Sequence, residues 1–97
     1  MTAPGSSRVL SADVHTAVLA PLAALGDAEI GLWAMEPGVD HDTEVDEVFV
    51  VLAGRGTVEF ADGEVVTLAP GVAVRLKAGE RTTWTVTETL RKVYVAL

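Results

Sequence analysis

The chain contains no cysteine. Disulfides, thiolate metal sites and a cysteine nucleophile are excluded, and the redox compartment is left open. Basic residues are scarce in the first half. Residues 1–54 hold Arg8 alone against nine acids, a formal −8. Residues 55–97 hold six bases against five acids, a formal +1, which gives the net −7. Such a chain lacks the basic face that nucleic acid requires and the polybasic patch that suits an anionic membrane. A long apolar run is also missing. The longest, Ala17 to Leu25, is broken by Pro21 and is too short to cross a bilayer. Met1 to Ser7 carries no basic leader-like region. These absences lead to the expectation of a cytoplasmic protein with neither nucleic acid nor membrane as partner.

What is present is hydrophobic residue, at 49% of 97 residues. That composition is not one of a disordered chain, and the length fits one domain. A domain this small leaves much of its surface unburied, so a homodimer interface would help it. Residues 1–7 read as a flexible lead-in and residues 8–97 as a single domain. The pattern is weak from Arg8 to Gly26, where Pro21 to Leu25 could form a turn of helix. From Ala28 onward it becomes strand after strand: Glu29–Met35, Glu47–Ala53, Thr57–Phe60, Glu64–Leu68, Val72–Leu76, Thr82–Thr87 and Arg91–Leu97. Turn signals separate several of them, namely Gly54-Arg55-Gly56, Asp62-Gly63 and Pro70-Gly71. Strands recurring every eight to twelve residues or so suggest an all-β sandwich or barrel. Val48 to Leu52 is apolar on both faces and therefore needs cover on both sides, from a second sheet and from a partner subunit or the N-terminal segment.

The stretch Gly38 to Gly54 carries the chemistry. Glu47, six residues and Gly54 have the spacing of the first cupin motif, with His41 where its first histidine falls and Thr43 where the second falls. Gly71 and Gly79 align with the two glycines of the second motif. Lys77 then takes its proline position, Thr82 its histidine position and Val86 its asparagine position. Trp33, Gly38, Asp62-Gly63, Gly79 with Trp84, and Arg91-Lys92-Val93-Tyr94 complete a pattern found in small single-domain cupins of the ethanolamine-utilisation type. Over residues 28–97 the chain thus resembles the cupin superfamily. The resemblance implies an all-β, RmlC-like jelly-roll fold, an antiparallel β-barrel. It says little about function, because cupins host many chemistries on one barrel.

Cupin metal sites normally take two histidines and the glutamate from the first motif and a third histidine from the second. Here only His41 and Glu47 remain, and threonines are poor ligands for a divalent transition metal. No metal or other cofactor is therefore expected. If there is one, His41 and Glu47 would hold it. Strand alternation places His41, Thr43 and Glu47 on one face, continued by Phe49, if the segment is extended throughout. Asp40, Asp42, Glu44 and Asp46 would then face water. A turn near Glu44–Asp46 would break this phase. The expected pocket holds His41 and Glu47 as a general acid/base pair, with Thr43, Phe49, Thr82 and Trp84 around them and Lys77 at the mouth. Arg91 and Lys92 are read as supports of the fold or partners of an acid such as Glu88.

The leading expectation is a metal-independent cupin that binds or transforms a small polar molecule. A metal-dependent isomerase or dioxygenase with a reduced ligand set is one alternative. A structural or regulatory cupin is another. Whether the protein is an enzyme stays open at this point.

Overall fold

The computed structural model describes residues 20–97. The expected lead-in over residues 1–7 and the weak pattern up to residue 19 lie outside them. Seven strands follow: β1 (Ala20–Leu25), β2 (Ala28–Met35), β3 (Gly38–Thr43), β4 (Glu47–Phe60), β5 (Val65–Leu68), β6 (Ala73–Leu76) and β7 (Arg81–Ala96). Every pairing is antiparallel. Among the described residues no helix is long and apolar enough to cross a membrane.

Two long strands organise the chain. β7 runs beside β4 for the whole length of both, from Glu47↔Ala96 to Phe60↔Thr82. On its other edge the first part of β7 takes β3 and the last part takes β2. β4 likewise takes β6 near its start and β5 near its end. Each long strand therefore serves two half-sheets.

Three expectations are corrected here. Gly54-Arg55-Gly56 is no turn between strands, and β4 passes straight through it. The register against β7 shifts three times between Val51 and Gly56. Gly54 has φ 97°, and a Cβ there would lie 2.2 Å from the Thr89 carbonyl oxygen. The glycine lets the two backbones touch while β4 bends, a bulge rather than a hairpin. The phase shift is visible in burial: Phe49 and Val51 face the core before it, Val58 and Phe60 after it. Secondly, the expected strands Thr82–Thr87 and Arg91–Leu97 merge into the one strand β7, which ends at Ala96. Thirdly, Pro21 to Leu25 is extended. It pairs with β2 across a bulge at Pro21/Ala23 on a sheet edge, where proline's missing N–H need not break a ladder. The Asp62-Gly63 hairpin forms as expected, with the Gly63 N–H donating to the Phe60 carbonyl at 2.9 Å.

The core lies between the half-sheets and draws on β4 to β7: Phe49, Val51, Val58, Phe60, Leu68, Leu76, Trp84, Val86 and Leu90. The two outer faces differ. One row on the first half-sheet runs Ile30–Val95–Val48, with Val93 beside Val50 in the next row. On the second half-sheet the comparable row runs Val39–Thr85–Thr57–Thr67. One outer face is therefore valine-rich, and the other is mostly polar, with Val39 and Val65 exposed among the hydroxyls.

Candidate functional site

β3 and the turn after it decide which acids enter the barrel. The chain leaves strand geometry at Glu44 and re-enters it at Glu47. Glu44 is tied by both backbone groups to the β6–β7 turn: its N–H donates to the Glu80 carbonyl and its carbonyl accepts from the Gly79 N–H, each at 2.8 Å. This break reverses the phase expected from simple alternation. Glu44 is buried rather than solvated, at 7% exposure. Its Oε2 accepts from Thr82 Oγ1 at 2.6 Å and from Trp84 Nε1 at 3.1 Å. Asp40, Asp42, Glu44 and Glu47 all line one cavity of about 310 Å³, walled by Trp33, Trp84 and Tyr94.

Lys92 closes that cavity. It is only 5% exposed. Its Nζ donates to Glu47 Oε2 at 2.7 Å. The same ammonium lies 4.3 Å from the Phe49 ring centre and 4.7 Å from those of Trp33 and Trp84. Trp84 packs against both of the other rings at 5.6 Å. Ring faces carry partial negative charge, so the cage and the carboxylate together replace the water that the ammonium has lost. The partner of Lys92 is thus Glu47, not Glu88.

Tyr94 follows Lys92 on the same face of β7 and sits over Gly31. A Cβ at Gly31 would lie 2.6 Å from the tyrosine oxygen, so only a bare α-carbon admits the ring. The Tyr94 hydroxyl donates to Glu29 Oε2 at 2.9 Å. Desolvation, and then the hydrogen bond and charge of Glu29, push this phenol above its ordinary value of 10.0. A raised folded-state pKa favours the fold below about pH 10, and that contribution is lost as pH rises through the folded value. Tyr94 is the single tyrosine, so its phenolate absorbance can be titrated alone. The midpoint should lie above 10, and Glu29→Gln should lower it. An unchanged midpoint in that variant would show that Glu29 does not hold the proton.

The remaining expected site residues divide. Glu47, Phe49 and Trp84 meet around Lys92. Thr82 is buried against Glu44, and Thr43 lines the cavity. His41 does not join them. It is exposed on β3, with Nδ1 3.0 Å from Thr83 Oγ1, and lines an adjoining open cleft of about 750 Å³ with Glu59, Arg81 and Thr82, which shares Asp42 and Thr43 with the cavity. The expected His41–Glu47 pair is therefore not assembled, because the phase break turns the two side chains apart. Lys77 is exposed on the β6–β7 turn and lines neither cavity. Its backbone N–H donates to Glu80 Oε1 at 2.6 Å. These residues do not fit a divalent transition metal. Among the described residues no three histidine, cysteine or acidic side chains gather where they could share one ion.

Glu44, Lys92, Tyr94 and Trp33 were not among the site residues expected from sequence. One signal for Lys92 and Tyr94 exists. Thr82, Trp84, Lys92 and Tyr94 share parity, so reading residues 81–96 as one strand puts all four on the inner face.

Comparison with known proteins agrees with the geometry. Residues 22–94 match the family model of the EutQ-like cupin domain. A crystal structure of unknown function from Rhizobium leguminosarum bv. viciae 3841 is 34% identical, with TM-score 0.74 over 81% of this chain and 78% of that one. The Clostridium difficile EutQ protein is 22% identical, with TM-score 0.69 over 80% of this chain and 64% of that one. Ectoine synthase from P. lautus, at 20% identity, has TM-score 0.64 over 70% and 51% of the two chains. The last two likenesses are of fold alone. No protein of curated function matches the sequence. With its antiparallel jelly-roll barrel and a family match over residues 22–94, the chain belongs to the EutQ-like cupin family.

Proposed function

We propose that this cupin binds a small polar molecule in the 310 Å³ cavity without a metal, with Glu47–Lys92 and Glu44 as its polar centre. The observation that carries this reading is the Lys92 ammonium on Glu47. The cupin resemblance gives the Glu47 position to a metal ligand. Here that carboxylate already faces a cation, one attached to the chain and caged by three rings. An incoming ion would have to displace it from a 2.7 Å contact. Apolar walls with a few placed polar groups suit a small organic ligand. Elemental analysis of protein purified without chelator should find metal far below stoichiometry. One equivalent of a transition metal per chain would overturn the reading.

The same proposal includes a homodimer and the cytoplasmic setting expected from the sequence. Support for the dimer comes from the valine-rich outer face, where Val48 and Val95 are 46% and 42% exposed and adjacent in register. The opposite outer face sets its exposed Val39 and Val65 among threonines, His41 and Glu59 instead of beside one another. Sedimentation should give twice the chain mass, and Val48→Glu with Val95→Lys should give a folded monomer. A monomeric parent protein would exclude the dimer.

A further inference from the structure

We infer that the ligand of the 310 Å³ cavity carries a protonated amine, held by Glu44 with Asp40 and Asp42 at the mouth. The inference rests on the proposal that this cavity is the binding site. Four carboxylates line it, Asp40, Asp42, Glu44 and Glu47, against one cation, Lys92. The formal balance is −4 + 1 = −3. Lys92 is fully engaged with Glu47 and the three ring faces.

Glu44 supplies a second and independent observation. It is more than nine-tenths buried, and both of its side-chain donors converge on Oε2. No donor among the described residues reaches Oε1. That oxygen is not sealed in the core either, since no fully buried side-chain oxygen lacks a partner. It therefore opens on the cavity that Glu44 lines. Thr82 and Trp84 fix the carboxylate through Oε2 and leave Oε1 as an acceptor facing the cavity, and a charged N–H donor is the strongest complement of such an oxygen. At the mouth, Asp40 and Asp42 each use Oδ1 on the next residue's N–H, at 3.0 and 2.8 Å. Their Oδ2 atoms remain available to guide a cation inward.

Other ligand classes fit less well. A phosphate or carboxylate would meet like charge in a partly desolvated space, where repulsion is only weakly screened. A neutral ligand would leave the −3 uncompensated. A divalent ion would match the charge but finds no cluster of three ligands among the described residues.

The chain has two tryptophans, and the Trp84 indole N–H lies on Glu44 itself. Proton–nitrogen spectra of the labelled full chain therefore report on the site through one of two indole signals, which Trp33→Phe assigns. Propylammonium, propanol and propionate are titrated at matched ionic strength. Propylammonium should move the Trp84 indole signal saturably, and propionate should not. Glu44→Gln should weaken the apparent affinity by about fivefold or more, the loss of one charge-assisted hydrogen bond. Asp42→Asn, at an exposed position, should weaken it by about twofold. Glu64→Gln, on the distant β4–β5 turn, should leave it unchanged. Saturation by propionate or propanol without propylammonium would overturn the amine and keep the cavity as a site. Silence of both indole signals toward all three would overturn the amine as well. Displacement of propylammonium by stoichiometric Zn²⁺ would overturn it together with the metal-free reading.

Discussion

Lys92→Met should lose about 3–5 kcal/mol of folding stability in denaturant unfolding, the range for breaking a buried ion pair by removing one partner. The side chains of Lys92 and Glu47 are only 6% and 11% exposed. Methionine fills much of the space between Phe49, Trp33 and Trp84 but leaves Glu47 as a buried carboxylate with no cation. That uncompensated charge is the main source of the loss, with the cation–π attraction adding to it. A second substitution separates charge from packing. Lys92→Met with Glu47→Leu removes both charges, and an apolar replacement of a buried pair is often neutral or better. The double variant should therefore be more stable than Lys92→Met alone, although it carries one more change. A single variant within about 1 kcal/mol of the parent would mean that water reaches Glu47 and that the pair is not structural. A double variant less stable than the single would mean that packing, not charge, sets the cost. If the single variant does not accumulate as folded protein, recovery by the double still decides the question.

Gly54→Ala should be the most damaging single-methyl change in the described chain. A Cβ at Gly54 would lie 2.2 Å from the Thr89 carbonyl oxygen and 2.7 Å from the Leu90 α-carbon. Both obstacles are backbone, so relief requires β4 and β7 to separate at their shared bend. The φ of 97° adds the left-handed penalty of a side-chain-bearing residue. A cost above about 4 kcal/mol is expected, enough to unfold a domain of ordinary stability. Gly63→Ala is the internal comparison. Gly63 has φ 93°, but nothing lies within 4 Å of its Cβ position. It should cost only the backbone term, about 1–2 kcal/mol. Thermal unfolding of the two variants side by side measures the difference. Equal losses would show that positive φ alone matters and that the strands yield freely at Gly54.

These two positions also show what the sequence could and could not disclose. Glycine at 54, separated from Glu47 by six residues, was legible as part of a cupin motif, and so was the all-β character. Its local setting read as a turn, because a Gly-Arg-Gly triplet is a turn signal unless a neighbouring strand forces the chain onward. β7 is that neighbour, some thirty residues away in sequence, and nothing near Gly54 announces it. The same reason hid Lys92. Breaking residues 81–96 into two strands loses the parity that carries Thr82 and Trp84 through to Lys92 and Tyr94.

His41 and Glu44 show the complementary case. Alternation sent His41 inward and Glu44 outward, and a shift of one residue inverts every side chain beyond it. Whether that shift occurs depends on backbone bonds from Glu44 to Gly79 and Glu80, which no local pattern contains. By itself the sequence determined the fold class, the family resemblance, the lack of a histidine ligand set and the concentration of acid around Glu47. These follow from composition, spacing and alternation, which are properties of the chain read in order. Only the tertiary structure decided which acids entered the barrel, which cation met them and where His41 pointed. Those outcomes depend on register between distant strands and on the desolvation that pairs Lys92 with Glu47, and both exist only once the chain has closed on itself.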